Sequence, residues 1–170
     1  MKGNKWQDVT FKGKTYPLGH LHPFNFQTTI EGTAVKISVA FSNHCFTDKK
    51  GEGKTLMSGR YFCEDRYNCS LQLPTILEQH LASGYVIPHF DRGNNEVYYY
   101  AAIHGYAVFF DLRPHVQNAG ELTLFVTSAY EVDQWGKATL PKGKAVKFTF
   151  VGHKRLNKET LLPARTQKRH

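Results

Sequence analysis

Apolar and polar residues alternate strictly over residues 35–41, where Val35, Ile37, Val39 and Phe41 are separated by Lys36, Ser38 and Ala40. A period of two marks a strand with one buried face. Residues 24–30 form a second such run, joined to the first through Glu31-Gly32-Thr33, so the pair predicts a hairpin. A smaller hairpin is predicted where Val9-Thr10-Phe11 and Thr15-Tyr16 flank Lys12-Gly13-Lys14. After a polar, glycine-bearing loop over 47–54, the period changes. Leu73, Ile76, Leu77, His80 and Leu81 share one helical stripe, with Pro74 in the first turn and Gly84 where a C-terminal cap belongs. Ser70 and Leu73 are the two candidate N-caps.

Beyond the helix the alternation returns. Strands are predicted over 85–87, 97–103, 106–112, 122–132 and 145–151, with turns at 91–95 and at His104-Gly105. The last strand is expected to bury Val146, Phe148 and Phe150. Connections between successive runs are short and no second helix intervenes, which disfavours parallel pairing. The pattern therefore predicts an α+β fold: one main helix packed on a curved antiparallel β-meander, with additional N-terminal β-hairpins. Residues 1–152 read as one domain and 153–170 as a basic C-terminal tail.

Composition sharpens this picture. A chain of 170 residues can bury a core without metal or disulfide support, and an aromatic share of 14% favours pleated surfaces. The net charge of +8 is concentrated in the tail, where Lys154, Arg155, Lys158, Arg165, Lys168 and Arg169 face Glu159 alone. Such a segment suits phosphates, acidic lipid or an acidic protein, or simply a solvated end. Residues 1–8 hold no apolar stretch, and no run approaches the roughly 18 apolar residues of a membrane span. With three cysteines, the expected setting is reduced and cytoplasmic, with no membrane contact.

Gly53-Lys54-Thr55 ends like a phosphate-binding loop, but Asp48 stands where the motif needs glycine and no helix follows. His20, His22, Cys45, Cys63 and Cys69 are zinc-compatible ligands without a C-x2-C knuckle; buried thiols are the plainer reading, and no metal or cofactor is expected. A third set has different chemistry. His44, Arg66, Tyr130, Lys147 and His153 are the side-chain types that metal-free RNA cleavage requires: a base for the 2′-hydroxyl, an acid for the leaving oxygen, and cations around the phosphate. Arg60, Tyr67, Tyr98, Tyr100, Lys154 and Arg155 would supply nucleic-acid contacts, the tyrosines by stacking on unpaired bases. Each of these residues also has a structural reading as a loop brace or strand end.

A helix followed by a four- or five-stranded meander, with basic residues and a tyrosine towards its late strands, resembles the barnase/EndoU/colicin/RelE-like ribonuclease superfamily of phage and mobile elements. The resemblance covers residues 70–153 and is architectural. It implies an RNA-directed, metal-independent endoribonuclease of the toxin type, with Arg66, Tyr130, Lys147 and His153 at its site. RNA is then the expected partner, alongside a protein inhibitor or partner protein. The alternative is a non-catalytic accessory factor that binds nucleic acid or protein.

Overall fold

In the computed structural model, which describes residues 5–91, 96–132, 140 and 142–161, the alternating segments become strands of a mixed sheet. The hairpin β1 (Val9–Phe11) and β2 (Lys14–Tyr16) stands apart, and β3 (Phe24–Ile30) and β4 (Thr33–Phe41) form the second hairpin. β5 (Thr47–Asp48) pairs with β6 (Tyr61–Phe62). Helix α1 (Glu64–Ser70) follows, then α2, which starts as Leu73–Thr75 and widens into π-helical turns over Ile76–Leu81. The meander is β7 (Tyr85–Asp91), β8 (Glu96–Ile103), β9 (Tyr106–Pro114) and β10 (Leu122–Glu131), and β11 (Val146–Lys147) leads into helix α3 (Phe148–Leu156). The seven-stranded sheet runs β11-β7-β8-β9-β10-β4-β3. From residue 92 on, the turn expected over 91–95 lies outside the described residues.

The α+β class holds, and the meander β7–β10 is antiparallel throughout. Three local readings change. First, β10 pairs in parallel with β4, Leu124 opposite Val39 and Val126 opposite Phe41. Short connections exclude parallel pairing only between consecutive strands, and the whole 42–121 segment separates these two. Second, the helical region begins at Glu64, well before Ser70, with Glu64 and Asp65 favourably placed at the positive end of α1. Ser70 is buried at the far end of that helix, where its hydroxyl donates to the Tyr67 carbonyl at 2.7 Å.

Third, the strand expected over 145–151 stops at Lys147. Phe148 and Val151 are fully buried one helical turn apart, whereas Phe150 is 43% exposed. The run is short enough to satisfy both periods, and packing selects the helical one. Phe148 sits against Phe110, and Gly152 lies so close to β3 that an added Cβ would fall 2.6 Å from Ile30 Cδ1. This helix runs through position 152, joining the first residues of the expected tail to the domain, and Leu156 and Leu161 also pack on the core. Gly84 does follow the α2 turns as expected. Its reason is steric, since a Cβ there would meet the His80 carbonyl oxygen at 2.8 Å.

The sheet divides the interior. Tyr99, Val108, Phe110, Leu112, Leu122, Leu124 and Val126 face α2 and α3 in one continuous core. The opposite face carries a smaller cluster in which Tyr100, Phe109 and Tyr130 line up across β8, β9 and β10 at ring spacings of 5.1 and 5.7 Å. Among the described residues no helix is long and apolar enough to cross a membrane.

Candidate functional site

The chain leaves β4 through a single tight turn, Asn43–Cys45. Ser42 pins that turn to β10: its backbone N–H donates to the Val126 carbonyl at 2.9 Å and its hydroxyl to that of Thr127 at 2.6 Å. The same Ser42 oxygen accepts the His44 N–H at 3.0 Å, capping the turn. The anchor falls where β10 bulges between Val126 and Ser128, and the bulge shifts the alternation by one residue, so that Ala129 enters the main core and Tyr130 joins Phe109 on the opposite face.

Two buried arginines hold the next layer. Arg60 donates through Nε to Thr47 Oγ1 at 2.8 Å and through Nη2 to the Thr47 carbonyl at 2.9 Å, while Thr47 Oγ1 donates to the Asn43 carbonyl at 2.7 Å. Arg66, only 8% exposed, donates through Nη1 to the His44 carbonyl at 3.0 Å and through Nε to Asp48 Oδ2 at 3.1 Å. Its guanidinium also lies 5.4 Å from the centre of the Tyr130 ring, ending the aromatic row in a cation–π contact.

The electrostatics follow from this crowding. Burial, then repulsion from Arg60, Arg66 and Lys49, pushes the His44 pKa down despite the opposing pull of Asp48, so its imidazole is neutral at neutral pH. Burial disfavours the Asp48 carboxylate, but Arg66 and backbone N–H groups outweigh it and hold the carboxyl below its usual range. Burial drives the Cys45 thiol up to about 12, which makes it inert as a nucleophile. Tyr106, its hydroxyl buried without a hydrogen-bond partner among the described residues, is raised by the same cause. Lys49 and Lys50 are exposed, and Lys49 is the one that acts on this half-buried imidazole.

Of the residues expected at a site, His44, Arg60, Arg66 and Tyr130 meet here. Lys147 and His153 do not. Lys147 is exposed on β11, opposite Tyr85, and His153 lies on α3, its Nε2 3.2 Å from Asn157 Nδ2. His153 is separated by the sheet, because α3 packs on the Phe110 face and Tyr130 stands on the Phe109 face, whereas Lys147 is separated by the sheet's width, with β7, β8 and β9 between its edge strand β11 and β10. Tyr67 is enclosed by Tyr16, Phe62 and His20, an interior role where an exposed contact was expected. Tyr100, expected outward, is only 5% exposed because Phe109 covers it, while Tyr98 is half-buried. Lys154 pairs with Glu159 at 2.6 Å, and Arg155 staples the end of α3 to the Leu112 carbonyl at 2.7 Å.

Asp48 and Thr47 were missed. Both lie in what reads as a polar loop, and the one available signal was that a buried Arg66 would need a carboxylate. The zinc-compatible residues are dispersed: His20 Nε2 lies 2.7 Å from Ser70 Oγ, and His22 Nε2 lies 2.9 Å from the Trp6 carbonyl. Among the described residues no group of three or more His, Cys, Asp and Glu side chains is placed to hold a metal ion.

No curated protein and no solved structure matches the chain. The model of the YjaZ family matches residues 8–156, from the residue before β1 to the last residue of α3. With nearly the whole described fold inside that match, the chain belongs to the YjaZ family.

Proposed function

We propose that this protein binds single-stranded RNA at the end of β10, in a reduced cytoplasmic setting. The observation that carries the reading is that Arg66 joins the His44 carbonyl to the Tyr130 ring, with Lys49 and Lys50 exposed just after Asp48 and Lys49 near enough to act on the His44 imidazole. The lysines supply the phosphate attraction that dominates nucleic-acid affinity. The neutral His44 imidazole has one nitrogen able to accept a hydrogen bond from a ribose 2′-hydroxyl, a group that DNA lacks. Tyr130 offers a half-buried aromatic edge alongside. Arg66 is occupied by Asp48 and the His44 carbonyl, so it orients the site and adds positive potential.

A metal-independent endoribonuclease is the second reading, favoured by one feature: a histidine kept unprotonated beside two guanidinium groups is a fit general base. Binding alone is the better-supported form, because His153 lies on the other side of the sheet and Lys147 lies on its far edge strand, with three strands between it and β10. The test is titration of purified protein into labelled single-stranded RNA and DNA, with chelator in excess. RNA binding that is saturable, salt-sensitive and tighter than DNA binding, with the RNA left intact, is the expected result. Cleavage that falls by about 10²–10⁴-fold in His44→Ala and persists in His153→Ala would establish the enzymatic reading instead. Failure to bind either nucleic acid would overturn both.

A further inference from the structure

On the other side of the Asn43–Cys45 turn lies a cavity of about 590 Å³, between the N-terminal segment and residues 54–57. We propose that it binds a small amphiphilic carboxylate, an apolar chain or ring system carrying one acid group. Trp6, Val9, Leu18, Phe46, Leu56 and Met57 form its apolar wall. The volume lies within the range of about 300–1,000 Å³ typical of small-molecule sites, and a largely apolar wall with few polar groups is their usual character.

The polar groups at the wall select the sign of the ligand. Asp8 is occupied, its Oδ1 accepting the Leu18 N–H at 3.1 Å, and Asn43 Nδ2 donates to the Met57 carbonyl at 3.2 Å. Gln7 and Thr55 are uncharged, so the ammonium groups of Lys5 and Lys54, which are exposed and enter no ion pair among the described residues, outnumber the single carboxylate of Asp8. An apolar cleft with two unpaired cations favours an apolar anion over a neutral or cationic ligand. A nucleotide or polyphosphate would place several charges against hydrocarbon, with only the two ammonium groups to balance them.

The lip is braced rather than loose. Leu56 N–H donates to the Arg60 carbonyl at 2.6 Å, Arg60 N–H returns to the Met57 carbonyl at 3.4 Å, and Arg60 is itself anchored on Thr47. Ser58 and Gly59 both take left-handed backbone angles to close this turn. Met57, 54% exposed at the mouth, is a flexible thioether that adapts to ligands of different width.

The full chain carrying Trp135→Phe leaves Trp6, in the wall, as its one tryptophan. It is titrated with eight-, ten- and twelve-carbon monocarboxylates below their micelle concentrations, and with the matching alcohols. The proposal expects a saturable change in Trp6 fluorescence, binding about fourfold tighter per added methylene, and carboxylate favoured over alcohol by at least about tenfold. Lys5→Ala with Lys54→Ala should erase the carboxylate preference and leave alcohol binding unchanged; both side chains are exposed, so folding is not at stake. Equal binding of acid and alcohol by the unmodified lysine pair would overturn the proposal. So would an absent response, or binding confined to anionic lipid vesicles. None of these outcomes alters the RNA titration, which reads a different surface.

Discussion

Two arginines tie helices to the ends of strands in this molecule, and they do so in unlike ways. Arg66 of α1 is buried, engages a carboxylate and a carbonyl at once, and sits over an aromatic ring. Arg155 of α3 is half-buried and donates to neutral oxygens: the carbonyls of Leu112 and Glu159 and the Thr160 hydroxyl. The first shapes the electrostatics of its neighbours, holding the Asp48 carboxyl below its usual range and adding to the burial and the Arg60 charge that lower the His44 pKa. The second serves the helix alone. The density of positive charge in the sequence points to the Arg155 end, whereas the structure gathers its perturbed groups at the Arg66 end. Formal charge locates a basic segment; burial decides which basic residue influences chemistry.

The strongest test of this contrast begins with the anchor of α3. Phe148→Ala should cost about 3–5 kcal/mol in denaturant unfolding, because a fully buried ring is removed from the contact with Phe110. Phe150→Ala should cost less than about 1 kcal/mol. Equal losses would restore the strand reading of residues 145–151.

The arginines themselves come next. Arg66→Ala leaves the Asp48 carboxylate and the His44 carbonyl without their donor, and a loss of about 2–4 kcal/mol is expected, discounted because Asp48 is partly exposed. Arg155→Ala removes bonds to neutral acceptors and should cost about 1–2 kcal/mol. If the two losses were reversed in size, the ranking of the two ends would fail.

A smaller effect concerns pH. The folded-state pKa of His44 is depressed, as is that of His20, where burial is again the leading cause. The unfolded chain therefore takes up protons first, so this contribution to stability is complete above about pH 6.5 and is lost as the pH falls below it. Asp48, also depressed, adds a second loss at still lower pH, below the ordinary carboxylate range. His44→Gln should flatten the first of these slopes, measured as midpoint against pH, and leave the second.

Much of this architecture was legible in the sequence, and the failures share a cause. The alternation over 35–41 and 106–112 placed β4 and β9 because each strand buries one face. Residues 145–151 defeated the same logic because Phe148, Phe150 and Val151 satisfy both periods, and only contact with Phe110 and Ile30 decides between them. The β4–β10 pairing is invisible to local reasoning, since its partners are brought together by everything between them. At the site, His44, Arg66 and Tyr130 were identifiable by chemical type. Their separation from Lys147 depends on the order of strands in the sheet, and from His153 on the face that α3 covers, and no spacing in the chain encodes either.

The central claim, that RNA meets the Arg66 end of the molecule, is tested most directly by charge reversal at the two ends. Binding of single-stranded RNA would be measured against salt concentration for Lys49→Glu with Lys50→Glu, and separately for Lys154→Glu with Lys158→Glu. The first pair should weaken binding at least about tenfold and lower the salt slope by roughly two contacts, with the second pair close to the parent protein. The opposite pattern, a loss confined to the α3 pair, would contradict the account and return the nucleic-acid surface to the basic C-terminal segment.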